Sequence, residues 1–321
     1  MSENPTINLN PTGHPMPLVG VGMWQVPNDK ATDLVIEALK LGYRLVDCAS
    51  DYGNEKEIGI ALKKAFDEGI VKRQDIFVTS KLWNTNHHPK HVRQAFERTL
   101  KDLQLDYLDL YLIHFPIALK YVDPDARKAG EWSDPHEKEI VTEDVPIHET
   151  WKAMEELVDA GLVKNIGISN FNGGLLMDLL RYARIKPSVL QIEHSPYLTQ
   201  ERLVNYAKSQ GLAVTGYSNF SNLSYVGFIP HAKEAPILFD QPVIKELAGR
   251  YNKSPAQIVL KWCVQRQIAI IPKSKNHDRL AQNRNIFDFE LTQEELHKIS
   301  SLNANMRFND PGNYADLPIF D

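Results

Sequence analysis

Residues 90–114 read KHVRQAFERTLKDLQLDYLDLYLIH. In the first half, Val92, Phe96, Leu100 and Leu103 recur at helical spacing and form one apolar face. In the second half, Leu108–His114 is apolar almost throughout, the pattern of a strand covered on both sides. This helix-then-strand unit repeats along the chain. The other strand-like runs are Leu18–Met23, Arg44–Cys48, Ile76–Ser80, Asn165–Ser169, Val189–Glu193, Ala213–Tyr217 and Ala269–Ile271. Between the eight lie amphipathic stretches at Thr32–Leu41, Glu55–Glu68, Lys90–Leu103, Pro146–Ala160, Leu175–Ala183, Glu201–Ser209 and Gln241–Tyr251, with Pro255–Gln265 before the last strand. Eight strands separated by helices over about 250 residues predict an α/β protein, a closed (β/α)8 TIM barrel. A doubly wound dinucleotide-binding sheet is the competitor, but Gly20-x-Gly22 is followed by Gln25 where the third glycine of its phosphate fingerprint should stand. A GxxxxGK[ST] loop is also missing. With no charge block, low-complexity tract or mid-chain linker, 1–321 reads as one barrel domain.

Three segments fall outside the repeat. Residues 1–17 precede the first barrel strand, and Gly13-His14-Pro15 is placed to turn a small N-terminal hairpin. Residues 118–145 follow the fourth strand and are rich in Asp, Glu and Pro; the tail 303–321 is polar, aromatic and too irregular for a helix. Long extra loops on such barrels build or cover the active-site face. The chain has 321 residues, 43% hydrophobic and 24% charged, with 36 Lys+Arg against 41 Asp+Glu for a net charge of −5. That length buries a full core without staples. The mild acidity argues against nucleic acid as a partner. No apolar run is long enough for a membrane helix, and MSENPTINLN lacks the pattern of a signal peptide. Cys48 and Cys263 each sit in an apolar run and read as buried free thiols of a reducing compartment. A cytoplasmic enzyme or binding protein is the expectation.

In a barrel of this kind, chemistry sits at the C-terminal ends of the strands. Asp47 ends the second strand, Lys81 follows the third, His114 ends the fourth, and Tyr52 lies just beyond the second in Asp51-Tyr52-Gly53-Asn54-Glu55. Each alone could be a paired charge or a hydrogen-bonded core group. Together they make chemical sense. A free tyrosine titrates near pH ~10 and is a weak acid at neutrality. A nearby ammonium stabilises the phenolate and lowers that value, and a carboxylate would hold the lysine. Asp47, Lys81 and Tyr52 thus form a candidate proton relay, with His114 placed to hydrogen-bond a carbonyl oxygen. His87-His88-x-x-His91 raises the question of a metal, but Pro89 reads as the first helical residue and leaves His87 outside the helix, so no metal is assigned. The nucleophile elbow GxSxG is absent, since Gly167-x-Ser169 continues as Asn170-Phe171.

These motifs resemble the aldo-keto reductases along essentially the whole chain. Gly42-Tyr43-Arg44-x-x-Asp47 through Tyr52-Gly53-Asn54-Glu55 looks like the first family signature, and Leu103 through Leu112, ending in Ile113-His114, like the second region. Gly167-Ile168-Ser169-Asn170-Phe171 and Ile271-Pro272-Lys273-Ser274 resemble the motifs of the fifth and eighth strands. Within the family the nearest likeness is to fungal xylose reductases, a kind of aldose reductase, through Lys81-Leu82-Trp83-Asn84, His114-Phe115-Pro116-Ile117-Ala118, Glu143-Asp144-Val145-Pro146-Ile147 and Arg307-Phe308-Asn309-Asp310-Pro311. The resemblance implies a catalytic tetrad of Asp47, Tyr52, Lys81 and His114 with Tyr52 as proton donor. It also implies hydride delivery from a nicotinamide cofactor, NADPH or NADH, to an open-chain sugar aldehyde such as D-xylose or L-arabinose. Trp24, Asp51, His114 and Asn309 would touch the sugar: an indole wall packs the carbon chain and polar groups take the hydroxyls. Ser169, Asn170 and Gln191 would hold the nicotinamide carboxamide and Tyr217 would stack on the ring. Lys273, Ser274, Lys275, Arg279 and Asn283 would surround the adenosine end, the basic groups facing a 2′-phosphate. Yeast members of the family are often dimers, so a homodimer is carried as an expectation.

The chain departs from the xylose-reductase pattern at four points. Lys275 stands where asparagine is common, and Gly227 where a glutamate can accept the ribose hydroxyls; both changes favour NADPH. Asn219-Phe220-Ser221-Asn222 replaces the usual Ser-Phe-Gly-Pro of the loop after the seventh strand, which changes the backbone options of a cofactor-covering loop. Lys128-Ala129-Gly130-Glu131-Trp132 replaces the usual Tyr-Pro-Pro-Gly at the substrate mouth, leaving D-xylose, L-arabinose and galactose open. Two alternatives stand beside an aldose reductase. A broad aldehyde or ketone reductase would favour apolar groups where Asp51 and Asn309 stand, and a non-catalytic NADPH-binding sensor would not need Tyr52 and His114 in a relay.

Overall fold

The computed structural model describes residues 4–133, 139–227 and 229–320. Residues 134–138 of the loop 118–145, and the extreme ends of the N-terminal segment and the tail, lie outside them. A two-stranded hairpin comes first, β1 (Thr6–Asn8) against β2 (Pro15–Pro17). Eight parallel strands follow: β3 (Val21–Gly22), β4 (Leu45–Asp47), β5 (Phe77–Leu82), β6 (Leu108–Ile113), β7 (Val163–Ser169), β8 (Val189–Glu193), β9 (Ala213–Tyr217) and β10 (Ile268–Ile270). Each pairs with the next in chain order. The barrel closes where Val19 bridges Ile270, with Gly20 N donating to Ile270 O at 2.8 Å and Ile270 N to Leu18 O at 2.8 Å. All residues of β4, β5, β6 and β8 are buried, which is why these runs are apolar without alternation.

The helices between strands are α1 (Asn28–Lys40), α2 (Glu55–Asp67), α3 (Pro89–Leu103), α4 (Ile147–Asp159), α5 (Gly173–Tyr182), α6 (Glu201–Ser209), α7 (Pro242–Tyr251) and α8 (Pro255–Gln265). Their starts are written locally. Pro89 occupies the first position of α3 behind His88, whose ring accepts from Lys90 N, so His87 lies outside the helix as expected. Ser254 and Gln257 form a capping box at α8. Gly59 lets α2 touch α3: a Cβ there would stand 2.2 Å from Asp102 O.

Three further helices add to the expected set: α9 (His277–Arg284), α10 (Gln293–Ser300) and α11 (Pro311–Tyr314). The last corrects the expectation of a tail without helix. Asp310 accepts from Gly312 N and Pro311 pre-sets the first turn, enough for four helical residues.

The hairpin closes the bottom of the barrel. Thr12 Oγ1 donates to Asn165 Oδ1 at 2.6 Å, and Ser188 Oγ donates to Asn10 O at 2.7 Å. Beneath the barrel Asp109 accepts from Val78 N and pairs with Arg73 and Lys164. The opposite rim, where the strands end, holds the chemistry. Cys48 and Cys263 are buried free thiols.

Candidate active site

A cavity of about 1030 Å³ opens at the C-terminal rim. Its lining includes Trp24, Asp47, Asp51, Tyr52, His114, Ser169, Asn170, Gln191, Tyr217, Lys273 and Asn309. These come from the ends of successive barrel strands and from the tail, so the barrel itself gathers residues spread over the whole chain.

Lys81 lies behind this surface and is fully buried. Its ammonium donates to Asp47 Oδ1 at 2.6 Å, Cys48 O at 2.7 Å and Tyr52 Oη at 3.2 Å. An ammonium has three protons, and all three are engaged. Tyr52 therefore accepts from Lys81, and its own O–H is left to donate elsewhere. Asp47 is held in turn by Gln191, whose Nε2 donates to Oδ2 at 2.8 Å. The Tyr52 and His114 rings meet edge-on at 5.9 Å.

The expected direction of the tyrosine shift is corrected here. Burial, then the negative charges of Asp47 and Asp51, push the Tyr52 phenol well above its ordinary range. Asp47 sits closer to Lys81 than Tyr52 does and offsets much of its positive charge. In the resting site the phenol is thus fully protonated, and the ammonium matters as a phenolate forms. His114 moves the opposite way: burial, then Lys81 and Arg127, push its imidazole well below the usual range, so it is neutral.

On the cofactor side, Ser169 pairs with Gln191 across β7 and β8, and Asn170 N donates to Gln191 O. Asn170 Nδ2 donates to His114 O at 2.9 Å, and its Oδ1 accepts from Tyr217 Oη at 2.5 Å. Lys273 lines the cavity, whereas Ser274, Lys275, Arg279 and Asn283 stand outside its lining. Ser274 is buried just before α9 and Asn283 within it, and the first turn of the helix is capped by Asn276 accepting from Arg279 N. The Lys275 ammonium helps lower the Lys273 pKa, after burial. Among the described residues neither lysine has an ion-pair partner. Two adjacent unpaired cations fit a phosphate dianion, and the amide-rich floor between Ser169 and Gln191 fits a carboxamide, so the residues present suit a phosphorylated nicotinamide cofactor.

On the substrate side, Asn309 Nδ2 donates to Tyr217 Oη at 3.1 Å, and Tyr314 Oη donates to Asn309 Oδ1 at 2.9 Å. Trp24 packs on Tyr225 at 5.7 Å. Two residues outside the expected set also shape the mouth. Arg127, from the loop after β6, donates to Asp51 Oδ1 at 2.6 Å, and Gly130 N reaches the same oxygen at 3.2 Å. Arg127 also lies over the Trp83 ring, and Trp132 packs against Trp83 at 5.2 Å and Tyr314 at 5.6 Å. The substituted loop thus closes the wall through aromatic contacts and one ion pair. Glu193, ending β8, anchors the tail. Its signal in the sequence was that of Asp47 and His114, a polar residue ending an apolar strand.

The loop after β9 keeps Ser221 in the left-handed region at φ 56°, where glycine is usual in the pattern it resembles. Asn222 Nδ2 donates to Ala232 O at 3.1 Å and Ala235 O at 3.2 Å, tying the two ends of the loop together. Gly227 is exposed, with open space around it.

The aldo/keto reductase family model matches residues 18–304. A probable NAD(P)H-dependent D-xylose reductase of Aspergillus clavatus is 53% identical over 96% of this chain and 93% of its own. The NAD(P)H-dependent D-xylose reductase I,II of Candida tropicalis is 51% identical over 98% of each. Among solved structures, the aldose reductase of Schistosoma japonicum superimposes with a TM-score of 0.87 at 40% identity, over 98% of this chain and 99% of that one. A Bombyx mori aldo-keto reductase in complex with NADP gives 0.86 at 37% identity, over 100% of this chain and 99% of that one. Barrel, rim residues and full-length similarity agree, and the chain belongs to the aldo/keto reductase family.

Proposed function

We propose that this chain, acting as one barrel domain, reduces the aldehyde of open-chain aldoses, D-xylose and L-arabinose among them, to the alditol with NADPH. The observation that carries the reading is the triple engagement of Lys81, which leaves the Tyr52 O–H as the free donor in a cavity also lined by Asp51, Asn309 and Trp24.

NADPH, when bound, supplies the hydride to the carbonyl carbon. Every other step belongs to the chain. His114, neutral, donates a hydrogen bond to the carbonyl oxygen and orients it. Tyr52 gives its proton to that oxygen as negative charge builds there. Lys81 stabilises the phenolate left behind, and Asp47 holds Lys81 in place. Gln191 fixes Asp47 from the far side. Asp51 and Asn309 accept and donate to the sugar hydroxyls while Trp24 packs the carbon chain. Ser169, Asn170, Gln191 and Tyr217 would hold the nicotinamide end, and Lys273, Ser274, Lys275, Arg279 and Asn283 the adenosine phosphate end.

The test is the initial rate of NADPH oxidation with D-xylose, L-arabinose and galactose, for wild type and Tyr52→Phe. Saturable oxidation of a pentose is expected, with Tyr52→Phe binding NADPH normally but losing at least ~10³-fold in turnover, the scale of a general-acid contribution. Retained turnover in Tyr52→Phe removes it from the acid role. Among the described residues no helix is long and apolar enough to cross a membrane. The resemblance adds a cytoplasmic homodimer to the proposal, and sedimentation velocity measures the dimer.

A further inference from the structure

Glu193 takes no part in the proton relay and does not line the cavity. It ends β8, fully buried, beneath the C-terminal tail. Its Oε1 accepts from Phe308 N at 3.0 Å, and its Oε2 accepts from Asn309 N at 2.8 Å and Phe308 N at 3.2 Å. One carboxylate thus holds two consecutive backbone N–H groups more than a hundred residues away in the chain. Neighbouring contacts act in the same sense. Gln200 Nε2 donates to Glu193 O at 2.6 Å, and Arg307 Nη2 donates to Gln200 Oε1 at 3.0 Å. The clamp falls on the residue whose side chain bonds Tyr217, and Tyr217 bonds Asn170. From the end of β8 the hydrogen bonds therefore lead to the tail backbone and, through the Asn309 side chain, on to Tyr217 and Asn170, which line the cavity.

We propose that Glu193 is a positioning residue for sugar recognition: by gripping the backbone of Phe308 and Asn309 it sets the Asn309 side chain at the substrate mouth. The proposal rests on the aldose reading, since it is the sugar hydroxyls that Asn309 is placed to meet. The carboxylate offers two charged oxygens to the two N–H groups that arrive side by side; a glutamine retains one neutral acceptor oxygen and adds an NH2 donor, an alanine has neither. Burial pushes the carboxyl up to about 7, and Arg307 with the two tail N–H groups opposes that rise, so the tail itself holds the group toward its ionised, accepting form.

The experiment compares Glu193→Ala, Glu193→Gln, Asn309→Ala and the Glu193→Ala/Asn309→Ala double variant, each with D-xylose and with pentanal, which lacks hydroxyls. Glu193→Ala is expected to raise KM for D-xylose about tenfold, the scale of a hydrogen bond or two. Its kcat should stay within about threefold and the pentanal KM should move much less. Glu193→Gln should fall between wild type and Glu193→Ala. The double variant should be no worse on D-xylose than Asn309→Ala alone, because both changes remove one contact. Fully additive losses, or equal rises in KM for both aldehydes, overturn the proposal. A second readout is independent of the substrate. Trypsin cleavage after Arg307 should be faster in Glu193→Ala and near wild type in Glu193→Gln at equal thermal stability. An unchanged cleavage rate refutes the clamp, whereas failure of wild type to turn over any sugar, with the cleavage difference intact, refutes only the aldose reading.

Discussion

Replacing Lys81 by methionine removes the cation that touches the Tyr52 oxygen while keeping an unbranched side chain one atom shorter. The ammonium stands 3.2 Å from Tyr52 Oη. At an effective dielectric of about 20, a unit charge at that distance stabilises a full phenolate by about 5 kcal/mol. Asp47 offsets part of this, and only about half a charge has formed at the transition state, so the barrier rises by ~2 kcal/mol and kcat/KM falls about 30-fold. The upper bound is the full interaction, ~10⁴-fold. The same substitution leaves the Asp47 carboxylate, itself only 2% exposed, without its counter-ion. Breaking one half of a buried pair costs about 3–5 kcal/mol of stability, so a dead enzyme could simply be an unfolded one. The Lys81→Met/Asp47→Asn double variant separates the two effects: it removes the orphaned charge, and the amide oxygen that replaces the carboxylate can still accept from Gln191. Its thermal midpoint should recover most of the loss while its kcat/KM stays down. Alditol oxidation adds a second signature, because that direction needs the phenolate. Without the ammonium the phenol is held still higher, and the alkaline rise of the oxidation rate moves to higher pH. If the folded double variant turns over within tenfold of wild type, and Lys81→Met alone leaves the pH profile of alditol oxidation unshifted, the relay from Asp47 through Lys81 to Tyr52 is wrong.

Lys275→Asn should cut the ratio of kcat/KM for NADPH over NADH by about tenfold, the worth of one partly exposed charge–phosphate contact; if wild type already uses NADH equally well, the cation pair is not a phosphate site. Asn222→Ala removes the two side-chain hydrogen bonds across the loop after β9 and should speed NADPH dissociation about tenfold in a stopped-flow chase; an unchanged off-rate means that wild type releases cofactor without breaking them. Glu55 lies buried beside Lys81 and accepts from Ser80 Oγ at 2.6 Å and Thr99 Oγ1 at 3.1 Å. Burial pushes its carboxyl up to about 7, above the value in an unfolded chain, so the folded state favours the protonated acid. The stability it contributes is full below pH ~4 and is lost as pH rises toward about 7, by roughly 3 kcal/mol in all. Glu55→Gln lacks this titration and should gain thermal stability relative to wild type between pH 5 and 8; a constant gap across that window counts against the assignment.

What could be read from the sequence followed from whether the signal was local. The eight barrel strands are visible because burial on both faces demands an apolar residue at nearly every position, and Val189–Glu193 and Ala213–Tyr217 match their ladders end to end. The first strand is shorter than its apolar run, since Leu18–Gly20 serve the closing seam with β10 rather than the ladder with β4. Helix α9 is hidden because His277–Arg284 buries only Leu280 and Asn283, too little for an apolar period. The direction of the Tyr52 shift was out of reach for a related reason. A sequence displays charges, but the cost of an anion depends on how much water the fold removes, and burial with Asp47 and Asp51 raises the phenol here. Arg127 meets Asp51 across 76 residues, through a loop whose only advance signal was its length and composition. Glu193 is the most instructive case. Asp47, Lys81 and His114 stand out because a polar side chain at the end of an apolar strand needs a partner, and suitable side chains can be sought elsewhere in the chain; Ser169 and Gln191 are reached only through the family resemblance. Glu193 meets the same criterion, but its partners are backbone N–H groups, which every residue except proline carries and no letter distinguishes. Contacts between side chains can therefore be inferred from residue types, while a side chain that grips backbone becomes visible only once the fold has brought the two together.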